Sequence, residues 1–444
     1  MDAIIALAIT FLLLMFSVYK GINIFYPLFL GFLLFLVIAY RRGFKPGELA
    51  SMVISGVKKS FGIIIILLLI GAITAVWRAS GTVAYVVYYG IKLMNPNLFI
   101  LYAFLLCCLV SFLLGSSFGT VGTIGVILMV MVKGGNLNIN LVAGAIIAGA
   151  LYGDRCSPMS SSANLVATIT GTELYINIRN MFRTAVIPFA LSLVIYGIIS
   201  FQNPLYLGES AISSEILKYY SLNWVVVLPA VIILMLAAFR IEVKLSMLLS
   251  ILSGMVISIL VQRESLTDVI GYVLFGYQMS GEGILKGIIA GGGIASMLKV
   301  TLIILVSFAL SGVFEGTSLL KDIEERILML GNKIGVYATV VITSIIAASF
   351  GGSQTLALIL VYQLIRNLYA SAGIDKYELA VDLEDTVIVL SSLIPWNIAG
   401  AVPAAALTAN STYMFYAYYL YLLPLAGLVF KGLKYRKMTA AGKS

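Results

Sequence analysis

The sequence predicts an all-α polytopic membrane protein of two inverted-topology repeats with broken helices and re-entrant hairpins, about ten transmembrane helices plus two hairpins. Three observations predict it. The first is composition: 61% of the 444 residues are hydrophobic and only 11% are charged, where a soluble domain carries about a quarter charged residues. The second is the recurrence of apolar runs, at 4–18, 26–38, 61–76, 98–114, 141–151, 185–199, 224–238, 245–261, 300–314, 336–348 and 413–430. Several approach the roughly 20 residues that a helix needs to span hydrocarbon. The third is an ordered internal match. WRASGT (77–82) resembles VFEGT (313–317), and SSFGTVGTIGVIL (116–128) resembles ASFGGSQTLALIL (348–360), with Phe118 against Phe350, Gly119 against Gly351 and Thr123 against Thr355. Asp154, followed by serines and Asn164, then matches Asp385, followed by serines and Asn397.

Taken in order, the chain divides into a first repeat (1–201), a linker (202–221) and a second repeat with a basic tail (222–444). MDAIIALAIT lacks the basic n-region of a signal peptide, so 4–18 reads as a retained first span. Basic residues in short loops set orientation. Loop 41–60 carries Arg41, Arg42, Lys45, Lys58 and Lys59 against Glu48 and reads as cytoplasmic. Its counterpart, 263–299, balances Arg263, Lys286 and Lys299 against Glu264, Asp268 and Glu282 and reads as external. RIEVK (240–244) reads as internal, the linker QNPLYLGESAISSEILKYY (202–220) as external, and the tail KGLKYRK (431–437) as an inside anchor. These assignments fit inverted repeats, an odd number of crossings per half, and both termini on the cytoplasmic side of the plasma membrane. The amphipathic runs 83–94 and 319–330 read as helices lying on the membrane surface. The second also suits a lateral arm or a homodimer contact.

Non-helical backbone at membrane depth survives only where it is buried in protein or lines a water-filled cavity. GSSFGTVGT (115–123) and SFGGSQT (349–355) are rich in small and hydroxyl residues. As hairpin tips they would offer freed carbonyls and the hydroxyls of Thr120, Thr123, Ser353 and Thr355 to a sodium ion. The competing reading is close helix packing through small residues. In GDRCSPMSSSAN (153–164), Pro158 interrupts the helix. Asp154 supplies a charge there, and Ser157, Ser160, Ser161, Ser162 and Asn164 supply neutral oxygens. In LEDTVIVLSSLIPWN (383–397), Pro395 breaks the helix, Glu384 and Asp385 supply acids, and Ser391, Ser392 and Asn397 supply neutral oxygens.

An ionised carboxylate inside a membrane is costly and marks function by default. For Asp154 the competing reading is an ion pair with Arg155, Arg179 or Arg183; for Glu384 and Asp385 it is a helix end. Burial favours the neutral acid and a bound Na⁺ favours the ionised one, so proton and sodium compete for one site. Asp154 and Ser157 are the first candidates to touch that ion. Arg155 either neutralises the empty carboxylate or marks the cytoplasmic edge. Arg78 and Glu315, in matched segments, are candidates for a gate paired across the pseudo-two-fold, or else interfacial residues.

GDRCSPMSSSAN resembles the GDxxSPxS signature of the NhaC-type sodium/proton antiporters. LEDTVIVLSSLIPWN resembles that family's second signature, and GTELYINIRNMF (171–182) resembles the segment that follows the first. The resemblance covers nearly the whole chain. It implies Na⁺/H⁺ exchange with Asp154 and Asp385 as carriers, and a fold of inverted repeats with paired hairpins, often dimeric. One position departs: Ser161 stands where many members have a second acid after the proline. That loss of negative charge, and the members that exchange organic acids or amino acids, make a Na⁺- or H⁺-coupled exchanger of such solutes the alternative.

Other classes fit poorly. No GxxxxGK[ST] motif is present for a primary pump. There is no histidine, so Ser157 lacks a histidine base and no histidine metal site exists. Acids in Ser/Pro/Asn-rich breaks do not suit an intramembrane protease, and the chain is not expected to be an enzyme. Three cysteines form no disulfide framework. The net charge of +9 reports topology, and no nucleic-acid partner is expected. The expected partners are membrane lipids and a small ion or organic solute, with no cofactor beyond transported Na⁺ and H⁺.

Overall fold

Helix propensity and apolar runs translate into a chain of helices. The structure is a computed structural model; it describes residues 2–20, 22–135, 137–206, 209–239, 241–279, 284–317, 333–350 and 352–441. In order come α1 (Asp2–Lys20), α2 (Phe25–Arg41), α3 (Pro46–Ala79), α4 (Thr82–Leu93), α5 (Phe99–Leu114), α6 (Ser117–Gly134), α7 (Ile139–Cys156), α8 (Ser161–Thr170) and α9 (Leu174–Gln202). Then follow α10 (Glu209–Tyr219), α11 (Leu228–Ala238), α12 (Val243–Leu260), α13 (Leu266–Phe275), α14 (Ile284–Ile289), α15 (Leu298–Thr317) and α16 (Val336–Phe350). The last elements are α17 (Gln354–Ser371), α18 (Lys376–Leu383), α19 (Ile398–Ala406) and α20 (Tyr418–Ala441). Helix α18 continues through a π turn (Glu384–Ile388) to Ser391. A second π turn (Val121–Gly125) lies within α6. The run 319–330, read above as a surface or contact helix, lies outside the described residues.

Among the described residues, six helices are long and apolar enough to cross a membrane: Pro46–Ala79, Pro96–Leu114, Ser117–Gly134, Leu174–Gln202, Val243–Leu260 and Ile294–Thr317. The pair Ile212–Tyr219 and Trp224–Leu236, bent by 103°, makes a seventh where it is counted as one broken span and not as a re-entrant loop. This is fewer than the sequence reading of about ten spans. Breaks explain part of the difference, since they cut α16 to 15 residues and α19 to 9.

Small residues let the helices close on one another. A Cβ on Gly149 or Gly153 of α7 would stand 2.4 Å from the Phe104 or Cys108 carbonyl oxygen of α5. Helices α3 and α15 run antiparallel: Gly56 abuts Phe308 and Gly312, and Gly71 abuts Met297.

The breaks are built alike in the two halves. Gly115 (φ +60°) is left-handed and Ser116 is extended, its hydroxyl accepting the Gly119 N–H at 3.1 Å to cap α6. Gly352 (φ +64°) and the extended Ser353 repeat this, with the Ser353 hydroxyl accepting the Leu356 N–H at 3.2 Å to cap α17. Asn138 and Asp375 are the extended N-caps of α7 and α18. Pro158 and Pro395 fall in the next breaks, and Ser160 and Asn397 cap α8 and α19. All these pairs, and Arg78 with Glu315, share one sequence offset. That offset sets Asp154 against Ser391, not Asp385. The Phe118–Phe350 match is out of step with it, because similar strings fall at different depths of their helices.

Candidate functional site

Four carboxylates are buried around the broken helices: Asp154 at the end of α7, Asp382 in α18, and Glu384 and Asp385 at the π turn. Two cations are buried with them, Arg155 and Lys431. Spacing explains the cluster. Asp382 and Asp385 are three residues apart on one helical face, and Lys431 reaches them from α20. The Lys431 ammonium pairs with Asp382 and donates to Asp385 at 3.1 Å. The Tyr369 and Tyr435 hydroxyls complete Asp382, donating at 2.5 and 2.7 Å. The Arg155 guanidinium pairs with Asp385, and donates to the Thr184 hydroxyl at 2.9 Å and the Tyr419 hydroxyl at 3.2 Å. Thr184 donates to the same Asp385 oxygen at 3.1 Å. Asp382 and Asp385 are therefore neutralised and hydrogen-bonded on every side.

Asp154 and Glu384 are not. One oxygen of Asp154 accepts the Ser117 N–H, at the start of α6, at 3.2 Å. The other has no hydrogen-bond partner among the described residues, although the Ser117 and Ser160 hydroxyls lie beside the carboxylate. Both Glu384 oxygens are buried without a partner among the described residues. Glu384 lies within electrostatic reach of Asp154, Arg155 and Asp385. With all four acids ionised, two cations leave two negative charges uncompensated in a low-dielectric interior. Such charges hold a proton or a cation, because an isolated buried carboxylate is too costly to persist.

The two halves interlock at this place. The Gly115 break sits against the backbone of Met159 in the Pro158 break. In the second half, Trp396 donates to the Ser349 carbonyl at 2.7 Å, Asn397 to the Ala348 carbonyl at 2.8 Å, and the Ile398 N–H to the Gly352 carbonyl at 3.2 Å. Helix α8 packs on α18 and its π turn, and α19 packs on the π turn of α6. π turns recur at functional sites because they open the backbone ladder locally.

The remaining sequence-predicted residues divide between this site and other places. Ser157 and Ser160 are buried in the Pro158 break, where Ser157 accepts the Met159 N–H at 3.1 Å. Thr120 and Thr123 are buried but bond back to the Ser116 and Gly119 carbonyls. Ser391 bonds back to Val387 at 2.6 Å. Ser353 and Asn397 act as helix caps. Ser161, Asn164 and Thr355 are exposed. Arg155 is fully buried, and its acid partner is Asp385, not Asp154. Arg78 and Glu315 do not pair. Glu315 is bound by Lys59, and Arg78 stands 19 residues further along α3, about 28 Å away. Matched ends of antiparallel helices lie at opposite ends, which excludes a direct gate between them.

Asp382, Lys431, Tyr369, Tyr419, Tyr435 and Thr184 were not anticipated. The Asp382–Asp385 spacing was an available signal. Lys431 was hidden in the basic tail, where its charge read as an anchor. A cavity of about 450 Å³ reaches this cluster, lined among others by Arg183, Thr184, Asp375, Glu378, Asp385 and Lys431.

A multi-helix membrane protein with uncompensated acids between broken helices belongs to the class of transport proteins. More particularly, the profile of the Na⁺/H⁺ antiporter family matches residues 1–168 and 149–432, and the chain belongs to that family. It is 29% identical to the Na⁺/H⁺ antiporter NhaC of Alkalihalophilus pseudofirmus, over 86% of this chain and 84% of that protein. It is 25% identical to the malate-2H⁺/Na⁺-lactate antiporter of Bacillus subtilis, over 90% and 87%. It is 26% identical to the arginine/ornithine antiporter ArcD of Halobacterium salinarum, over 87% and 82%. These relatives are transporters, not enzymes.

Proposed function

We propose that this chain exchanges Na⁺ for H⁺ at the carboxylates of Asp154 and Glu384. The observation that carries this reading is their unpartnered buried oxygens beside two neutralised aspartates. A proton or a sodium ion supplies the missing positive charge, and occupancy by one excludes the other. Ser117, Ser157 and Ser160 supply neutral oxygen near Asp154, the hard donor type that suits an alkali ion. Glu384 takes the part first given to Asp385. No cofactor enters this exchange.

Alternating access follows from an inverted pair, 1–201 against 222–444, rocking about the fixed site. The antiparallel packing of α3 on α15 and the matched breaks support that arrangement. Both termini then face the cytoplasm.

The test is proton flux in proteoliposomes with an internal pH dye and an imposed pH gradient. Addition of Na⁺ collapses the gradient with the wild-type protein and does not with Asp154→Asn. No response of the wild-type protein to Na⁺, Li⁺ or K⁺ contradicts the reading.

A second reading, exchange of small organic acids or amino acids, draws support from the cavity. Its volume, about 450 Å³, is in the range that encloses small molecules. Its walls carry both Arg183 and Asp375. The names of the second and third relatives point the same way. Uptake of labelled lactate or arginine by the same proteoliposomes separates the two.

A further inference from the structure

Two residues past each left-handed glycine, at Gly115 and at Gly352, the chain reaches into a segment that carries an acid assigned to exchange. In the first half that residue is Ser117, whose N–H donates to Asp154 at 3.2 Å. Its counterpart at the shared offset is Gln354, the first residue of α17. The half-buried Gln354 side chain donates its amide N–H to the Ile388 carbonyl at 2.9 Å. Ile388 ends the π turn that begins at Glu384, one helical turn earlier. That carbonyl needs a donor. In a regular helix it would accept the Ser392 N–H, four residues on. The Ser392 N–H donates to the Val389 carbonyl at 3.2 Å instead, as the helix tightens toward the Pro395 break. A backbone carbonyl left over inside a membrane is costly unless another group donates to it. Gln354 is such a donor, and its bond ties the Gly352 break to the turn that carries Glu384. Helix α17 also packs on this turn, and the Ile398 N–H holds the break from the other side by donating to the Gly352 carbonyl at 3.2 Å.

We propose that Gln354 is a positioning residue for sodium exchange: its amide holds the π turn so that the Glu384 carboxylate stands where the ion binds. Ser117 does this for Asp154 directly, through its own N–H. Gln354 does it through the backbone of Ile388 and not on the acid itself. The inference rests on the reading of Glu384 as a carrier.

The test is equilibrium binding of radioactive Na⁺ to the purified full-length protein at one pH, comparing wild type, Gln354→Met, Glu384→Gln and the two changes combined. Methionine keeps the length of the side chain and removes the donor. Gln354→Met raises the half-saturating Na⁺ concentration about tenfold, with the amount bound at saturation unchanged. Glu384→Gln raises it as well. In that background Gln354→Met adds less than about twofold, because both changes act through one carboxylate. Gln354→Asn draws the amide away from Ile388 with less disturbance of packing, and it carries the same comparison if Gln354→Met does not fold. An unchanged half-saturating concentration in the Gln354 variant, or an equal rise with and without the Glu384 carboxylate, overturns the proposal and leaves Glu384 as a carrier. A wild-type protein that binds no Na⁺ saturably, or an affinity that Glu384→Gln leaves unchanged, overturns the reading of Glu384 and this inference with it.

Discussion

Asp385 and Glu384 are adjacent in sequence, yet their surroundings give them opposite roles. Asp385 is held by Arg155, Lys431 and Thr184. Asp385→Asn strips the partner from buried cations and is expected to cost about 3–5 kcal/mol of stability, read by thermal or denaturant unfolding. Glu384→Gln removes a buried charge that has no partner among the described residues. Its expected outcome is unchanged or raised stability with sodium-driven proton flux lost. Loss of stability in Glu384→Gln would mean that an unseen partner holds that carboxylate. Sequence reading named Asp154, Arg155, Glu384 and Asp385, because acids inside apolar runs stand out. It did not sort them, because pairing depends on Lys431 and Tyr419, distant in sequence and delivered by α20. The hydroxyls of Thr120, Thr123 and Ser391 donate to carbonyls of their own helices, which the strings alone did not show.

At the scale of elements, the breaks hold the acids in place. Gly115 has φ +60°, and a Cβ there would lie 2.6 Å from the Met159 backbone. Gly115→Ala is expected to cost about 1–3 kcal/mol, combining left-handed strain with that clash. It should also weaken sodium-driven flux, because Ser117, two residues on, positions Asp154. Unfolding midpoints and flux on the same preparation check both. The breaks were legible as Gly/Ser and Pro/Ser clusters. Their correspondence was not, since string similarity set Phe118 against Phe350 while caps and glycines set Gly115 against Gly352. Identical glycine, serine and proline residues in matching backbone conformations carry that equivalence.

For the whole molecule, composition and apolar runs were enough to read an all-helical membrane protein, and two specific signatures were enough to read its family. The number of spans was less legible, because an apolar run does not announce where a break will divide it. In the assembled protein, the proposed exchange has proton and sodium compete for the same two carboxylates. Competition requires the half-saturating Na⁺ concentration to rise as pH falls, by about tenfold per pH unit where the acids are mainly protonated. Flux measured across pH checks that dependence. The most direct test is proton release on adding Na⁺ to the purified protein in weakly buffered solution, followed with a pH dye. The account predicts release with the wild-type protein, and its absence in Asp154→Asn combined with Glu384→Gln. Sodium binding without proton release, or release undiminished in the double variant, would contradict it.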